Sequence, residues 1–267
     1  MPDIEWILLY LVLGALVGFM AGLLGLGGGG ILVPVLTSIF TYQGISVDNA
    51  IHLALGTSLA CMIISSIASI YAHASRGAVV WQMAGGMAPG IILGAFLSTR
   101  IAANVNSAYI AIFFTLFMAF VAGQMFFNWQ PKPSSKPATL GGLIAAGTGI
   151  GSVSVLAAVG GGFLAVAYLG YKNVNIKSAI GTSAVIGLFI AITGTVGYMI
   201  SGLPVTSSNP YTIGFIDVPA FLIIAIASTI AAFYGARCSH SLPKACLRKI
   251  FAVISLILSI KMLLFWF

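Results

Sequence analysis

Between Glu5 and Asp48, between Lys136 and Lys172, and between Lys177 and Asp217 this chain carries no charged side chain. Each gap is long enough for at least one apolar helix of about 20 residues, the length that crosses a hydrocarbon core of about 30 Å. The chain is 60% hydrophobic and 6% charged, with a mean hydropathy of +1.12, against about 25% charged residues in ordinary soluble domains. These values predict an all-helical integral membrane protein in which little of the chain lies outside the bilayer.

Apolar stretches run over 6–24, 30–42, 49–73, 79–100 and 106–127, and again over 139–157, 160–171, 175–200, 216–236 and 246–266. The first five form one repeat, 1–127, and the second five another, 139–267. Between them lies 128–138, whose three prolines, Pro131, Pro133 and Pro137, cannot continue a helix and mark a linker. Trp6, Trp81, Trp129 and Trp266 all fall at segment ends, where an indole buries its ring and still hydrogen-bonds at the headgroups. If each repeat crosses an odd number of times, or makes its first two segments a re-entrant hairpin, one side collects Arg76, Lys132, Lys136, Lys172, Lys177, Arg237, Lys244, Arg248 and Lys249. Only Arg100 falls on the other, with Lys261 inside the last helix. This bias makes the crowded side cytoplasmic and puts both termini outside the cytoplasm. An odd number of crossings also makes the halves inverted copies, an architecture that opens a midplane site alternately to either side.

The halves share sequence as well as length. Gly28-Gly29-Gly30-Ile31-Leu32 followed by Gly56-Thr57-Ser58 returns as Gly160-Gly161-Gly162-Phe163-Leu164 followed by Gly181-Thr182-Ser183. Glycine runs cost a helix about 1 kcal/mol per residue relative to alanine, so the runs predict broken helices near the midplane. The freed amides are tolerated where they are buried in protein or line a wet cavity, and the half-helix that follows turns its positive end toward that cavity. Two glycine tips and two hydroxyl pairs converging there would hold a small anion through neutral donors. The candidate substrate-binding residues are therefore Gly28, Gly29, Gly30, Gly56, Thr57, Ser58, Gly160, Gly161, Gly162, Gly181, Thr182 and Ser183. His52 and Lys177 stand four residues before the two Gly-Thr-Ser motifs and are candidates for gating or attracting the anion, or for solvated positions at a helix start. The series Gly14, Gly18, Gly22 and Gly86, Gly90, Gly94 fit close helix packing.

Several other readings fail. The eleven basic residues are spread over short loops and not clustered, so the +7 charge points to topology and not to nucleic acid. Cys61, Cys238 and Cys246 lack metal-ligand spacing, and no metal or cofactor is expected. Asp3 and Glu5 stand where a secretory signal would be basic, so the first segment is expected to be retained. Gly25 to Gly30 satisfies a dinucleotide fingerprint in letters, but both flanks are membrane segments with no room for the strand-turn-helix unit it requires. His52 shares no helix face with Cys61 or Ser58, so no catalytic dyad is expected. The acids Asp3, Glu5, Asp48 and Asp217 all fall near segment ends, leaving no embedded carboxylate pair. Outward movement of an anion needs none, since a potential of about 100 mV, inside negative, favours its exit by about 2.3 kcal/mol per charge.

The glycine-rich segment ending in Val33-Pro34, the following Gly56-Thr57-Ser58, and their return in a second half resemble the TauE/SafE family of sulfite exporters over essentially the whole chain. The second half departs from the pattern, with Val166 in the place of Pro34 and a shorter glycine run. The resemblance implies a multi-pass permease of a prokaryotic-type inner membrane, whose partners are the lipid bilayer and a small anionic substrate such as sulfite or an organosulfonate. An importer or exchanger of another small anion or metabolite, and a membrane assembly subunit that transports nothing, are the alternatives.

Overall fold

The computed structural model describes residues 4–24, 28–127, 138–206, 211–238 and 244–264. The described residues are all-helical, with ten helices: α1 (Ile4–Leu24), α2 (Gly29–Tyr42), α3 (Val47–Ala74), α4 (Trp81–Ala102), α5 (Ser107–Phe127), α6 (Leu140–Leu156), α7 (Leu164–Tyr171), α8 (Ile176–Thr206), α9 (Val218–Cys238) and α10 (Lys244–Leu263). Among the described residues, strand-like pairing is confined to one isolated bridge between Thr212 and Asp217. Helices α1, α3, α4, α5, α8 and α9 are long and apolar enough to cross a membrane, so the chain is a multi-pass membrane protein. Helices α2 and α6 are shorter apolar elements.

Both glycine runs lie at helix boundaries, but only Gly160–Gly162 fall between helices, since Gly29 and Gly30 are the first residues of α2. Helix α1 stops at Leu24 before the first run, and α6 stops at Leu156 before the second. After α6 the chain turns through Ala158, whose φ of +45° lies in the left-handed region, and α7 starts only at Leu164. Residues 25–27, the linker at 128–137, Asp3, Trp129 and Trp266 lie outside the described residues, and so does the side-chain packing of Gly22, Arg237, Cys238, Lys244, Cys246 and Arg248.

Helix pairing is interleaved between the two halves of the chain. Helix α1 packs along α9, and α4 along α6; exchanging each helix for its counterpart in the other half exchanges these two pairs. The pairs α3 with α8 and α5 with α10 map onto themselves under the same exchange. The glycine series explain the two long pairs: Gly14 and Gly18 face Ile224 and Ser228 of α9, while Gly86, Gly90 and Gly94 face Leu143, Ile144 and Thr148 of α6. A β-carbon at Gly18 or Gly90 would overlap neighbouring backbone, so the absent side chains let the axes approach. Helix α3, buried without interruption from Ala50 to Met62, forms the centre and crosses α8 in the opposite direction. Along that crossing Gly56 lies beside Tyr198, Leu59 beside Gly194, Ser66 beside Gly187 and His73 beside Gly181.

Candidate functional site

The two Gly-Thr-Ser motifs occupy equivalent places with equivalent bonds. Thr57 Oγ1 accepts from the backbone amide of Asp217 at 3.0 Å, and Thr182 Oγ1 accepts from the amide of Val80 at 2.9 Å. Asp217 and Val80 immediately precede α9 and α4, so each threonine satisfies an amide at the start of a helix from the other half. The glycine of each motif makes this approach possible, since a β-carbon at Gly56 would overlap the carbonyl of Phe215 and one at Gly181 that of Ala78. Thr182 also donates to Ser178 O at 2.6 Å. Both threonines are fully buried and engaged within the chain.

The two motifs do not meet. With α3 and α8 antiparallel, Gly56 lies at the level of Tyr198 and Gly181 at the level of His73, positions about 25 Å apart at 1.5 Å rise per residue along α3. The expected convergence of both hydroxyl pairs at one midplane point is thus corrected: a long antiparallel crossing places equivalent residues toward opposite ends. The glycine turns do touch, since a β-carbon at Gly29 would overlap the carbonyl of Ala158. Gly28 is packed against Val17 and Gly30 against Met118, so the first turn is closed in by protein.

The flanking residues also differ between halves. Lys177 is exposed, as a residue at a helix start can be, but His52 is 5% exposed and packs against Phe215 with ring centroids 5.0 Å apart. The solvated reading therefore holds for Lys177 and not for His52. His52 Nε2 lies 3.1 Å from Ser107 Oγ, and Ser107 gives its proton to Asp48 O at 2.9 Å. His52 Nε2 is accordingly the donor, which leaves Nδ1 as a buried acceptor without a partner. Ser58 Oγ and Tyr198 Oη are also buried without partners among the described residues. Asp217 sits at a helix start as the sequence places it, yet it is buried, its Oδ1 accepting from Ala220 N at 2.8 Å as a cap.

A cavity of about 370 Å³ opens on the other turn. Its inner wall is Gly160, Gly161, Gly162, Ser183, Gly187 and Met62; its sides are Ser65, Ser66 and Ser69 of α3 and Thr229 of α9; and it extends to Ala72 and His73 at the end of α3 and to Phe233. Of the candidate residues, Gly160, Gly161, Gly162 and Ser183 line it, while Gly28, Gly29, Gly30, Gly56, Thr57, Ser58, Gly181, Thr182, His52 and Lys177 do not. The serines of α3 were missed in the sequence; their spacing, Ser65, Ser66 and Ser69, keeps them on one side of a helix, but nothing local says that side faces a cavity. Among the described residues the lining holds no carboxylate and no lysine or arginine. It offers hydroxyls, backbone amides and one imidazole, groups suited to binding a small polar solute and letting it go. Among the described residues no three His, Cys, Asp or Glu side chains group as metal ligands.

Comparison with known proteins agrees with this architecture. The family described as sulfite exporter TauE/SafE matches residues 10–262. A probable membrane transporter protein of Haemophilus influenzae is 33% identical over 260 residues, covering 97% of this chain and 98% of its own. A probable membrane transporter protein of Methanocaldococcus jannaschii is 29% identical over 96% of this chain and 95% of its own, and one from Bacillus subtilis 26% identical over 87% and 90%. No solved structure matches the chain. The duplicated glycine turns, the interleaved membrane helices and a match over nearly the whole length lead to one assignment: the chain belongs to the TauE/SafE family of membrane transporters.

Proposed function

We propose that this protein exports a small sulfur oxyanion, sulfite or an organosulfonate, across a prokaryotic-type inner membrane, with the cavity at Gly160–Gly162 and Ser183 as its substrate site. The observation that carries the reading is the cavity lining itself, which joins a broken-helix turn to hydroxyl side chains from both halves and contains no acid. The neutral donors among these groups, the turn amides and the uncommitted serine hydroxyls, replace the hydration of an anion without trapping it. The antiparallel crossing of the equivalent helices α3 and α8, and the interleaved pairs α1 with α9 and α4 with α6, support inverted repeats that rock about the site. The cavity extends toward the ends of α3 and α9, near Arg76. By the distribution of basic residues this is the cytoplasmic end, where an exporter loads.

The test is flux of labelled sulfite from proteoliposomes under an imposed potential, with sulfoacetate as competitor. Saturable flux that follows the potential and is inhibited by sulfoacetate supports the reading. Absence of flux from folded protein overturns the substrate assignment, and accumulation against a gradient after the potential is collapsed overturns the export mechanism.

A further inference from the structure

Resting on the reading of the cavity as the substrate site, the geometry points to an oxyanion-binding position directly over Gly187, formed by the Gly161 amide and the Ser66 hydroxyl, that exists in only one of the two halves. A β-carbon built at Gly187 would lie 3.5 Å from Gly161 N and 3.6 Å from Ser66 Oγ. These polar atoms from opposite walls therefore border the same space, which the missing side chain of Gly187 leaves open.

Proton accounting selects the donors. Ser65 Oγ donates to Met62 O at 3.1 Å, Ser183 Oγ to Ile180 O at 2.8 Å and Thr229 Oγ1 to Ala225 O at 2.7 Å. With their protons committed to carbonyls of their own helices, these hydroxyls can only accept. Ser66 is 8% exposed, lines the cavity and has no hydrogen-bond partner among the described residues; Ser69, one helical turn on, has none either. The amides of Gly160, Gly161 and Gly162 likewise find no acceptor there, because Ala165 N, donating to Gly161 O at 2.8 Å, is where the next helix begins its bonding. A buried hydroxyl and a buried amide that both need an acceptor are complementary to an oxygen-rich anion. An ammonium group would meet no carboxylate in the lining.

The other half cannot repeat the site. Aligned on Gly56 and Gly181, Gly187 corresponds to Met62, Ser66 to Ala191 and Ser69 to Gly194. Both hydroxyl donors are absent there, and the glycine is replaced by a methionine whose thioether lies against Gly160 in the wall of the same cavity. The first glycine turn is in addition closed against Ala158.

The position is tested by thermal-shift titration of the purified full-length protein with sodium sulfite, against sodium chloride at equal ionic strength. Each variant is referred to its own anion-free melting temperature. Gly187→Ala places a methyl in ordinary contact with both donors, so it folds and occupies the point; Ser66→Ala removes one donor with minimal change of shape. Each is expected to weaken the apparent sulfite Kd at least tenfold, while Met118→Leu, packed against Gly30 and outside the cavity, leaves it within twofold. Taurine is expected to bind at least tenfold more weakly than sulfite. Sulfite affinity unchanged in both Gly187→Ala and Ser66→Ala, or equal binding of taurine, overturns the proposal. If those variants also carry wild-type flux, the transport reading stands while this site falls; a wild-type protein that neither binds nor carries sulfite sinks both.

Discussion

The turns at Gly28–Gly30 and Gly160–Gly162 descend from one duplicated pattern, yet the first is buried against Val17, Ala158 and Met118 and the second lines a cavity. The duplication reproduces the scaffold closely, down to the Thr57 and Thr182 hydroxyls that each accept the amide preceding a helix of the other half. It does not reproduce the surroundings. Val17, Ala158 and Met118 close over the first run, while Gly187, aligned with Met62 of the first half, leaves room beside the second. Repetition of sequence thus marks what builds the fold, and the departures from repetition mark where a cavity opens.

Glycine substitution tests that contrast most severely. Gly29→Ala would drive a methyl into the Ala158 carbonyl, and because backbone must move, a loss of more than about 3 kcal/mol is expected, at the upper end of overpacking costs. Gly160→Ala meets the flexible Met62 thioether at 3.2 Å and should remain folded. Size-exclusion profiles and melting curves of the two variants distinguish these outcomes, and equal behaviour would remove the asymmetry between the turns.

A smaller effect is expected from the threonines. Thr57→Val and Thr182→Val each leave a helix-start amide without its acceptor, a cost of about 1–3 kcal/mol. The two losses should be similar, and Thr→Ser at either position should recover most of the stability. A stability loss in one valine variant only would show that the clamps are not equivalent. A flux defect from either valine variant is interpretable only beside its melting curve, because the hydroxyl it removes holds the helices together.

The smallest effect concerns the end of the α3 and α8 crossing opposite His73. Tyr198→Phe deletes a buried hydroxyl that has no partner and should leave stability unchanged or raise it by up to about 1 kcal/mol. A clear loss in the melting curve would mean that this hydroxyl is bonded when the transporter is in its membrane.

Much of the fold was legible along the chain. The charge-free stretches, the glycine interruptions and the two glycine series depend on local composition and helical period, and the helices begin and end close to where those features put them. The Gly-Thr-Ser motifs were legible as important, but the amide partners of Thr57 and Thr182 were not, since a hydroxyl in an apolar stretch serves an anion or a backbone amide equally well. Which of these it meets depends on residues as distant as Thr57 and Asp217. His52 was open for the same reason: its place near a helix start fits solvent, and only the packing of Phe215 and Ser107 around it buries it.

The sequence by itself determined that this chain enters a membrane as helices, that it does so twice over, and that its helices break at glycine, because each of these follows from the cost of charge or of unpaired backbone in hydrocarbon. The tertiary structure decided which copy of the turn faces a cavity and which serines keep a proton to donate. Those outcomes depend on contacts between residues far apart in the chain, with Val17, Ala158 and Met118 packed over one run while Ser66 of α3 and Gly187 of α8 leave space beside the other.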